Sequence, residues 1–422
     1  MGAARPVHIV GAGLAGLSAA AALAESGHRV TVHEAAGFAG GRCRSWHDRR
    51  LDTVLDNGSH LLLGVNRHAL GWLAEMGTDG ARVERRPAAF PFLDLGDGAR
   101  WHLRPNRGPL PWWPLVPGRR VPGTHAGAYA RDLAALLGAD RAATVGACVD
   151  LATPLGHRLW GPLATAVLNT PPEHAAAWLL RPLLRPLIYR GERAWRPSLL
   201  TVGLSEAFVD PALARLRAAG VDLRFHRRLA ALERDAGAVT ALRFADGARL
   251  ETAGAAVLLA LPAKTVAALA PALDPPRRTA AVINGHFRPT PDVCPPGPGF
   301  LGVVGGTAQW LFWRDGIVSA TISAADPFLD RSTDALAAAL WADAARALGL
   351  PAAPLPPWRV LKERGATIAQ TPDCLSRRRG AATDAANLFL AGDWTDPDLP
   401  ATVEAALASG RRAARRIAAE NP

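Results

Sequence analysis

The sequence VHIVGAGLAGLSAAAALAESGHRVTVHE, residues 7–34, decides the fold of this chain. Its apolar start predicts a buried parallel strand, and a glycine-rich turn follows. An alanine-rich segment then predicts a helix that ends near Ser26-Gly27, and a second strand ends on an acid, Glu34. Strand, glycine turn, helix and terminal acid in this register predict a Rossmann-like nucleotide fold.

Each glycine of the first turn has its own physical role. Gly11 lets the strand turn sharply, Gly13 lets backbone amides approach a pyrophosphate, and Gly16 lets the helix lie close to the strand. The helix N-terminus then offers unpaired N–H groups to the phosphates. Glu34 can accept both ribose hydroxyls of an adenosine and would repel a 2′-phosphate. The stretch therefore predicts an adenine dinucleotide other than NADP and leaves NAD and FAD open.

Composition and charge limit the class of protein. The chain has 422 residues, is 49% apolar and carries a net charge of +11, almost wholly from arginine. This composition predicts a globular protein, and a basic surface favours an anionic membrane. No basic–aromatic interleaving or recognised module indicates nucleic acid. The longest apolar stretch, residues 253–273, is interrupted by two prolines and a lysine, so no transmembrane helix is expected.

The four cysteines are far apart and form no CxxC pair: Cys43, Cys148, Cys294 and Cys374. They indicate neither a metal site nor a disulfide framework, and a reducing cytoplasm is the default compartment.

Two further segments extend the nucleotide pattern. The sequence GFAGGRCRS, residues 37–45, places flexible backbone and the cation of Arg42 beside the expected pyrophosphate. Near the end, NLFLAGDW, residues 387–394, predicts a short buried strand that turns at Gly392-Asp393. A loop to Pro400 and a helix over 401–418 follow, with the proline expected at the first helical position. Together these segments favour FAD, bound in extended form, over NAD.

The nucleotide pattern is discontinuous along the chain. We expect an α/β fold in which a Rossmann-like FAD-binding domain with a parallel sheet (residues 1–76, 204–265 and 362–422) is interleaved with an α+β substrate domain (77–203 and 266–361). The inserted regions mix proline, tryptophan, leucine and arginine.

These motifs carry a family resemblance. The glycine motifs, DNGSHLLLG at 56–64, LNTPPE at 168–173, LSEAFVDP at 204–211, QWLF at 309–312, AGDWT at 391–395 and LPATVE at 399–404 span nearly the whole chain. The chain resembles the FAD-dependent amine oxidase and phytoene desaturase superfamily and, within it, the hydroxysqualene dehydroxylase family. One departure is Ser59, where the family pattern has glutamine.

The resemblance implies that reduced FAD delivers hydride to hydroxysqualene, which loses its allylic hydroxyl and becomes squalene. The FAD would be bound non-covalently, with no metal. The expected cofactor contacts are Gly11, Gly13, Leu14, Ala15, Gly16, Glu34, Gly40, Gly41, Arg42, Gly58, Ser59, Leu229, Gly392, Asp393, Thr402 and Val403. The hydroxyl needs an acid in order to leave as water, and the candidates are His60, Asp56 and Glu404. Each has a plain structural alternative: a packing histidine, a strand-end cap and a first-turn acid, respectively.

The substrate would be an apolar isoprenoid that already resides in lipid. We therefore expect peripheral association with the inner face of the cytoplasmic membrane, through Trp112, Trp113 and the segment Trp178–Arg190, although a helix packed inside the substrate domain is an equal alternative. The resemblance also implies contact with other enzymes of the squalene pathway.

Rival functions remain at this stage. A carotenoid-type desaturase, an amine oxidase or a protoporphyrinogen oxidase would share the fold. A flavin-binding scaffold for isoprenoid enzymes is the alternative of another class. An aromatic cage at the flavin would be expected of an amine oxidase, and Tyr129 and Tyr189 are the only tyrosines.

Overall fold

A computed structural model describes residues 5–290, 293, 295, 299–350 and 354–420, so Cys294 lies outside the described residues. The strands are β1 Val7–Val10, β2 Val30–His33, β3 Ser45–Asp48, β4 Thr53–Asp56, β5 Leu62–Leu63, β6 Val83–Arg85, β7 Phe90–Asp94, β8 Arg100–Leu103, β9 Pro197–Leu200, β10 Asp222–Arg224, β11 Leu229–Asp235, β12 Ala238–Phe244, β13 Arg249–Glu251, β14 Ala256–Leu259, β15 Thr279–Phe287, β16 Gly299–Val304, β17 Trp310–Arg314, β18 Ile317–Ile322, β19 Trp358–Ile368 and β20 Leu388–Leu390. The α-helices are α1 Leu14–Glu25, α2 Arg67–Glu75, α3 Ala126–Gly138, α4 Val145–Cys148, α5 Gly161–Leu168, α6 Arg181–Arg190, α7 Glu192–Trp195, α8 Asp210–Ala218, α9 Ala263–Leu269, α10 Thr333–Leu348, α11 Pro372–Ser376 and α12 Val403–Ala419.

The first layer is a parallel sheet of five strands in the order β10-β2-β1-β14-β20. Four of these strands are short and almost wholly buried, as expected for a sheet covered on both faces, whereas the edge strand β10 is largely exposed. They come from three separate parts of the chain, which confirms the predicted α/β class with a discontinuous Rossmann-like sheet. Helices α1 and α12 pack so closely that a Cβ added to Gly410 would stand 2.2 Å from the carbonyl oxygen of Ala15.

The second layer is a seven-stranded sheet in the order β19-β15-β18-β17-β16-β7-β8, antiparallel except between β16 and β7. Side chains alternate across it. One face packs against α10 through residues such as Ile283, Phe287 and Leu340. The opposite face carries the polar and aromatic side chains described below. Helices α3, α5 and α6 lie on its aromatic part and share one core with it.

Two sequence expectations differ from the structure. The boundary predicted between residues 361 and 362 falls inside β19, which pairs with β15 in the seven-stranded sheet. Helix α12 begins at Val403, so Pro400 precedes the helix instead of opening it.

No helix in the described part of the chain is long and apolar enough to cross a membrane.

Candidate functional site

The first glycine turn lies at the carboxyl end of β1. Gly11 has φ +107°, and a Cβ there would come within 2.4 Å of the carbonyl oxygen of Ala260. A Cβ on Gly16 would stand 1.9 Å from the carbonyl oxygen of Gly11, so α1 can approach the turn only through a glycine. Gly13 is different, because its Cβ would meet nothing within 4 Å among the described residues. Open space therefore adjoins the N-terminus of α1, where Leu14 and Ala15 are buried.

The second glycine turn lies against the first. Gly40 donates its N–H to the carbonyl oxygen of Ala12 at 2.8 Å and forms an isolated parallel bridge with Gly13. Gly40 and Gly41 both have positive φ, 99° and 59°, which favours glycine at each. These backbone contacts hold the two glycine turns together at the edge of the sheet where the parallel strands end.

Arg42 ties this turn to the C-terminal motif. Its guanidinium donates to Asp393 Oδ1 at 2.7 Å and to the carbonyl oxygen of Ala366 at 2.6 Å. The neighbouring Asp393 carboxylate raises the pKa of Arg42, which is therefore a fixed cation. Gly392 donates its N–H to Ser409 Oγ of α12 at 2.9 Å. The second and third predicted cofactor segments are joined by a charge pair that the sequence did not reveal.

Glu34 follows β2 and is held by backbone amides. Its two carboxylate oxygens accept N–H bonds from Ala12 and Ala36, each at 2.8 Å. This fixes the acid beside the first glycine turn, where a dinucleotide fold has the acid that binds the ribose hydroxyls. Leu229, a further predicted contact, is buried at the start of β11.

These features fit an adenine dinucleotide. The space over Gly13 adjoins the helix N-terminus, which suits a pyrophosphate, and Glu34 suits a ribose. The fit extends along the sheet edge to Gly392-Asp393, which suits an extended molecule such as FAD.

The segment from Asp56 to His60 connects this edge to the second sheet. Asp56 accepts three hydrogen bonds through Oδ1 and Oδ2: from Ser45 Oγ at 2.6 Å, from the N–H of Leu204 at 2.9 Å and from Arg314, with which it forms an ion pair at 3.1 Å. These bonds join the end of β4 to β3, to β17 and to the segment that begins at Leu204.

His60 is held through one nitrogen. Its Nδ1 lies 2.8 Å from the carbonyl oxygen of Gly58, which can only accept, so Nδ1 carries a proton. The Nε2 atom is consequently the one that can serve a ligand. His60 and Ser59 line a cavity together with Asp56, Arg314 and Phe312.

The Glu404 carboxylate is bound by backbone amides of a neighbouring helix. Its two oxygens accept the N–H groups of His68 at 2.9 Å and Ala69 at 2.8 Å, in the first turn of α2. Burial raises the pKa of Glu404, while these amide bonds oppose the rise. It therefore caps a neighbouring helix, and we assign it this structural role in place of proton donation. Thr402 and Val403, also predicted contacts, are half-buried where α12 begins.

One site residue was missed. His286 on β15 is buried, lines the same cavity as His60 and pairs through Nδ1 with Ser319 Oγ at 2.8 Å. Burial lowers its pKa to about 4. A usable signal was present, because Asn284 and His286 occupy alternate positions in an otherwise apolar strand.

The sheet face that carries His286 has two halves. Its polar half, on β15 and β18, comprises Asn284, His286, Ser319 and Thr321. Its aromatic half, on β17, β16, β7 and β8, is an unbroken chain of ring contacts among Phe90, Phe92, Trp101, Phe300, Trp310 and Phe312. The face therefore joins a polar region at the cavity of His60 to an aromatic region, most of which packs beneath helices α3, α5 and α6.

The comparisons with known proteins agree with this geometry. A family model described as flavin containing amine oxidoreductase matches residues 14–293 and 302–418. Cyclohexylamine oxidase from Brevibacterium oxydans has a similar structure, with a TM-score of 0.70 at 15% identity over 99% of both chains. Hydroxysqualene dehydroxylase from Rhodopseudomonas palustris is 41% identical over 98% of this chain and 99% of its own length. The same enzyme from Zymomonas mobilis is 40% identical over 96% and 97%.

The fold and the site define a flavin-dependent oxidoreductase. The chain belongs to the flavin-containing amine oxidoreductase family and, within it, to the hydroxysqualene dehydroxylase family.

Proposed function

We propose that this chain binds FAD non-covalently and removes the hydroxyl of hydroxysqualene to give squalene. The substrate follows from the names of the relatives. The observation that carries the proposal is the sheet face at the cavity of His60, where the polar side chains of His286 and Ser319 adjoin the ring of Phe312.

Several observations support FAD and non-covalent attachment. The glycine turns, Glu34 and the Arg42–Asp393 pair extend along one sheet edge, as an extended dinucleotide requires. Cys43 and Cys374 are buried, and burial raises the pKa of the Cys43 thiol, which makes it a poor nucleophile.

The reaction needs a proton and a hydride. When bound, the reduced flavin supplies the hydride that forms the new C–H bond. The carbon–oxygen bond breaks with its electron pair on oxygen, and protonated His60 gives the proton on Nε2 to that oxygen, so that water leaves. The carbonyl oxygen of Gly58 holds the ring through Nδ1 during this transfer. The ring of Phe312, which lines the cavity, helps to exclude water from the allylic cation and stabilises it through its π-face.

The other two acid candidates are less suited. Asp56 is paired with Arg314 and accepts two further hydrogen bonds, so its carboxylate is engaged by protein donors. Glu404 uses both oxygens to cap α2. We therefore assign proton donation to His60.

An amine oxidase receives less support. Tyr129 is buried and its hydroxyl accepts a hydrogen bond from Val121, while Tyr189 is 72% exposed. Neither tyrosine lines the cavity of His60.

We also propose peripheral association with the inner face of the cytoplasmic membrane, through a surface that we call the docking patch. It consists of the exposed side chains Leu110, Trp112, Leu115, Val116 and Tyr189, and the backbone joins its two segments because Leu110 donates its N–H to the carbonyl oxygen of Ile188. Residues 104–120 and 181–193 carry eight arginines and one acid, Glu192, which suits an anionic bilayer.

Two tryptophans expected in this surface have other positions. Trp113 is buried and packs edge-on against Tyr129, so it anchors the loop from inside. Trp178 lies under the guanidinium groups of Arg141 and Arg181 and donates to Asp398. The docking patch therefore uses Trp112 without Trp113 and Trp178.

The test of the reaction is anaerobic. Purified protein with reduced FAD is mixed with hydroxysqualene, and the product is identified by mass spectrometry. Squalene is the expected product. A product with an added double bond would indicate a desaturase, and the absence of any conversion would favour the scaffold.

A further inference from the structure

A second histidine contributes to the cavity of His60. The Nδ1 atom of His286 faces Ser319, its direct partner across the β15–β18 pair. Its Nε2 atom is buried and has no hydrogen-bond partner among the residues that the structure describes. A buried polar atom without a partner costs stability, so its retention calls for a ligand that completes it.

We propose that His286 binds the hydroxyl group of the substrate through Nε2 and holds the departing oxygen while His60 delivers the proton. The proposal rests on the dehydroxylation proposed above and adds the residue that recognises the hydroxyl. In the tautomer that this role requires, Ser319 donates its hydroxyl proton to Nδ1 and the ring proton resides on Nε2. Nε2–H then donates to the oxygen that leaves as water.

The other polar side chains of this half are already occupied. Asn284 donates to the carbonyl oxygen of Asn57 and accepts from the hydroxyl of Thr321. On the neighbouring strand β17, Arg314 pairs with Asp56 and donates to the carbonyl oxygen of Val202. Among the described residues of the polar half, His286 therefore offers a buried polar atom that is free to bind.

The charge of His286 suits this role. Burial lowers its pKa to about 4, against the opposing influence of Asp56 and Asp48, so the ring is neutral near pH 7. A neutral donor can hold the hydroxyl without repelling the allylic cation that forms beside it. Binding and proton delivery are thereby divided between His286 and His60.

The test measures binding without turnover. Oxidised holoenzyme cannot supply hydride, so equilibrium dissociation constants for hydroxysqualene and squalene can be compared directly. We expect His286→Asn to keep the contact to Ser319 but not reach the hydroxyl, and to lose about tenfold in affinity for hydroxysqualene alone. We expect His286→Gln, whose amide reaches further, to recover most of this loss. The matched control is His102→Asn, an exposed histidine on β8 of the same sheet.

Three results would overturn the inference. The first is a wild-type protein that binds hydroxysqualene no better than squalene, and the second is an unchanged preference in His286→Asn. The third is loss of flavin from His286→Asn but not from His102→Asn, which would assign His286 to the cofactor. A failed squalene assay combined with a preference that His286→Asn removes would reject the proposed reaction and retain this binding role.

Discussion

The two sheets of this molecule form their parts of the site by different means. At the edge of the parallel sheet, the candidate cofactor site consists largely of backbone: glycine turns, amide groups and a helix N-terminus, fixed by contacts such as Gly40 to Ala12. On the seven-stranded sheet, the site consists of side chains, such as His286 and Phe312, that project from one face. We therefore expect the cofactor site to be disturbed by any atom added to its glycines. We expect the site on the seven-stranded sheet to depend on the chemistry of single side chains.

The largest expected effect concerns His60, in the segment that connects the two parts of the site. We expect His60→Ala to lower turnover by about 10²- to 10⁴-fold, because a positioned proton donor is lost, while flavin binding persists. Rapid-mixing assays with flavin-loaded protein would measure this. Glu404→Gln is the comparison, since it should lower thermal stability with little change in turnover. A normal rate in His60→Ala would end its assignment as the acid.

The backbone site is tested by a pair of glycines. We expect Gly13→Ala to fold normally, because its Cβ meets no described residue, yet to bind FAD about ten- to a hundredfold more weakly, since the methyl group enters space needed by the cofactor. Gly16→Ala should fail to fold, because its Cβ would clash with the backbone of Gly11. Titration with FAD and thermal unfolding distinguish the two. Unchanged FAD affinity in Gly13→Ala would refute the placement of the pyrophosphate there.

The docking patch lies outside both sheets, on the segment after β8 and near the end of α6. We expect the double variant Trp112→Ser, Leu115→Ser to bind anionic vesicles at least about tenfold more weakly, because each buried apolar side chain contributes about 1.5–3 kcal/mol. Vesicle sedimentation measures this. Leu355→Ser, which alters an exposed leucine elsewhere, is the control. Equal loss in both variants, or none in either, would contradict the docking patch.

The smallest effect concerns pH, and each sheet contributes one histidine to it. Burial lowers the pKa of His33 to about 3 and that of His286 to about 4, so the unfolded chain binds protons that the folded chain does not. Stability should therefore fall as pH drops below about 6.5, with a slope of up to about 1.4 kcal/mol per pH unit for each histidine. Urea unfolding between pH 7 and about 5 checks this. His286→Gln should reduce the slope, and an unchanged slope would contradict the neutral state of His286.

The same contrast explains what the sequence could predict. The spacing of Gly11, Gly13, Gly16 and Glu34 encodes a local backbone path, so the strands and helix of the first unit were predicted almost to the residue. The Arg42–Asp393 pair joins residues 351 positions apart, and no local pattern encodes that.

The seven-stranded sheet was harder to predict, because its register depends on long-range pairing. His286 and Ser319 lie 33 residues apart and meet only once β15 and β18 align. Glu404 was expected to act at its own helix and instead caps α2, a contact across 335 residues to Ala69. Trp112 and Trp113 are adjacent in sequence, and only packing on Tyr129 decides which is buried.

The central claim is that the polar half of the seven-stranded sheet and the flavin act together on one hydroxyl group. A single-turnover experiment tests it most directly: anaerobic protein with reduced flavin is mixed with hydroxysqualene, and flavin oxidation and squalene formation are followed together. We predict equal amounts of oxidised flavin and squalene in the wild type, and formation of both about 10²- to 10⁴-fold more slowly in His60→Ala. Flavin oxidation without squalene, or squalene without flavin oxidation, would contradict this account.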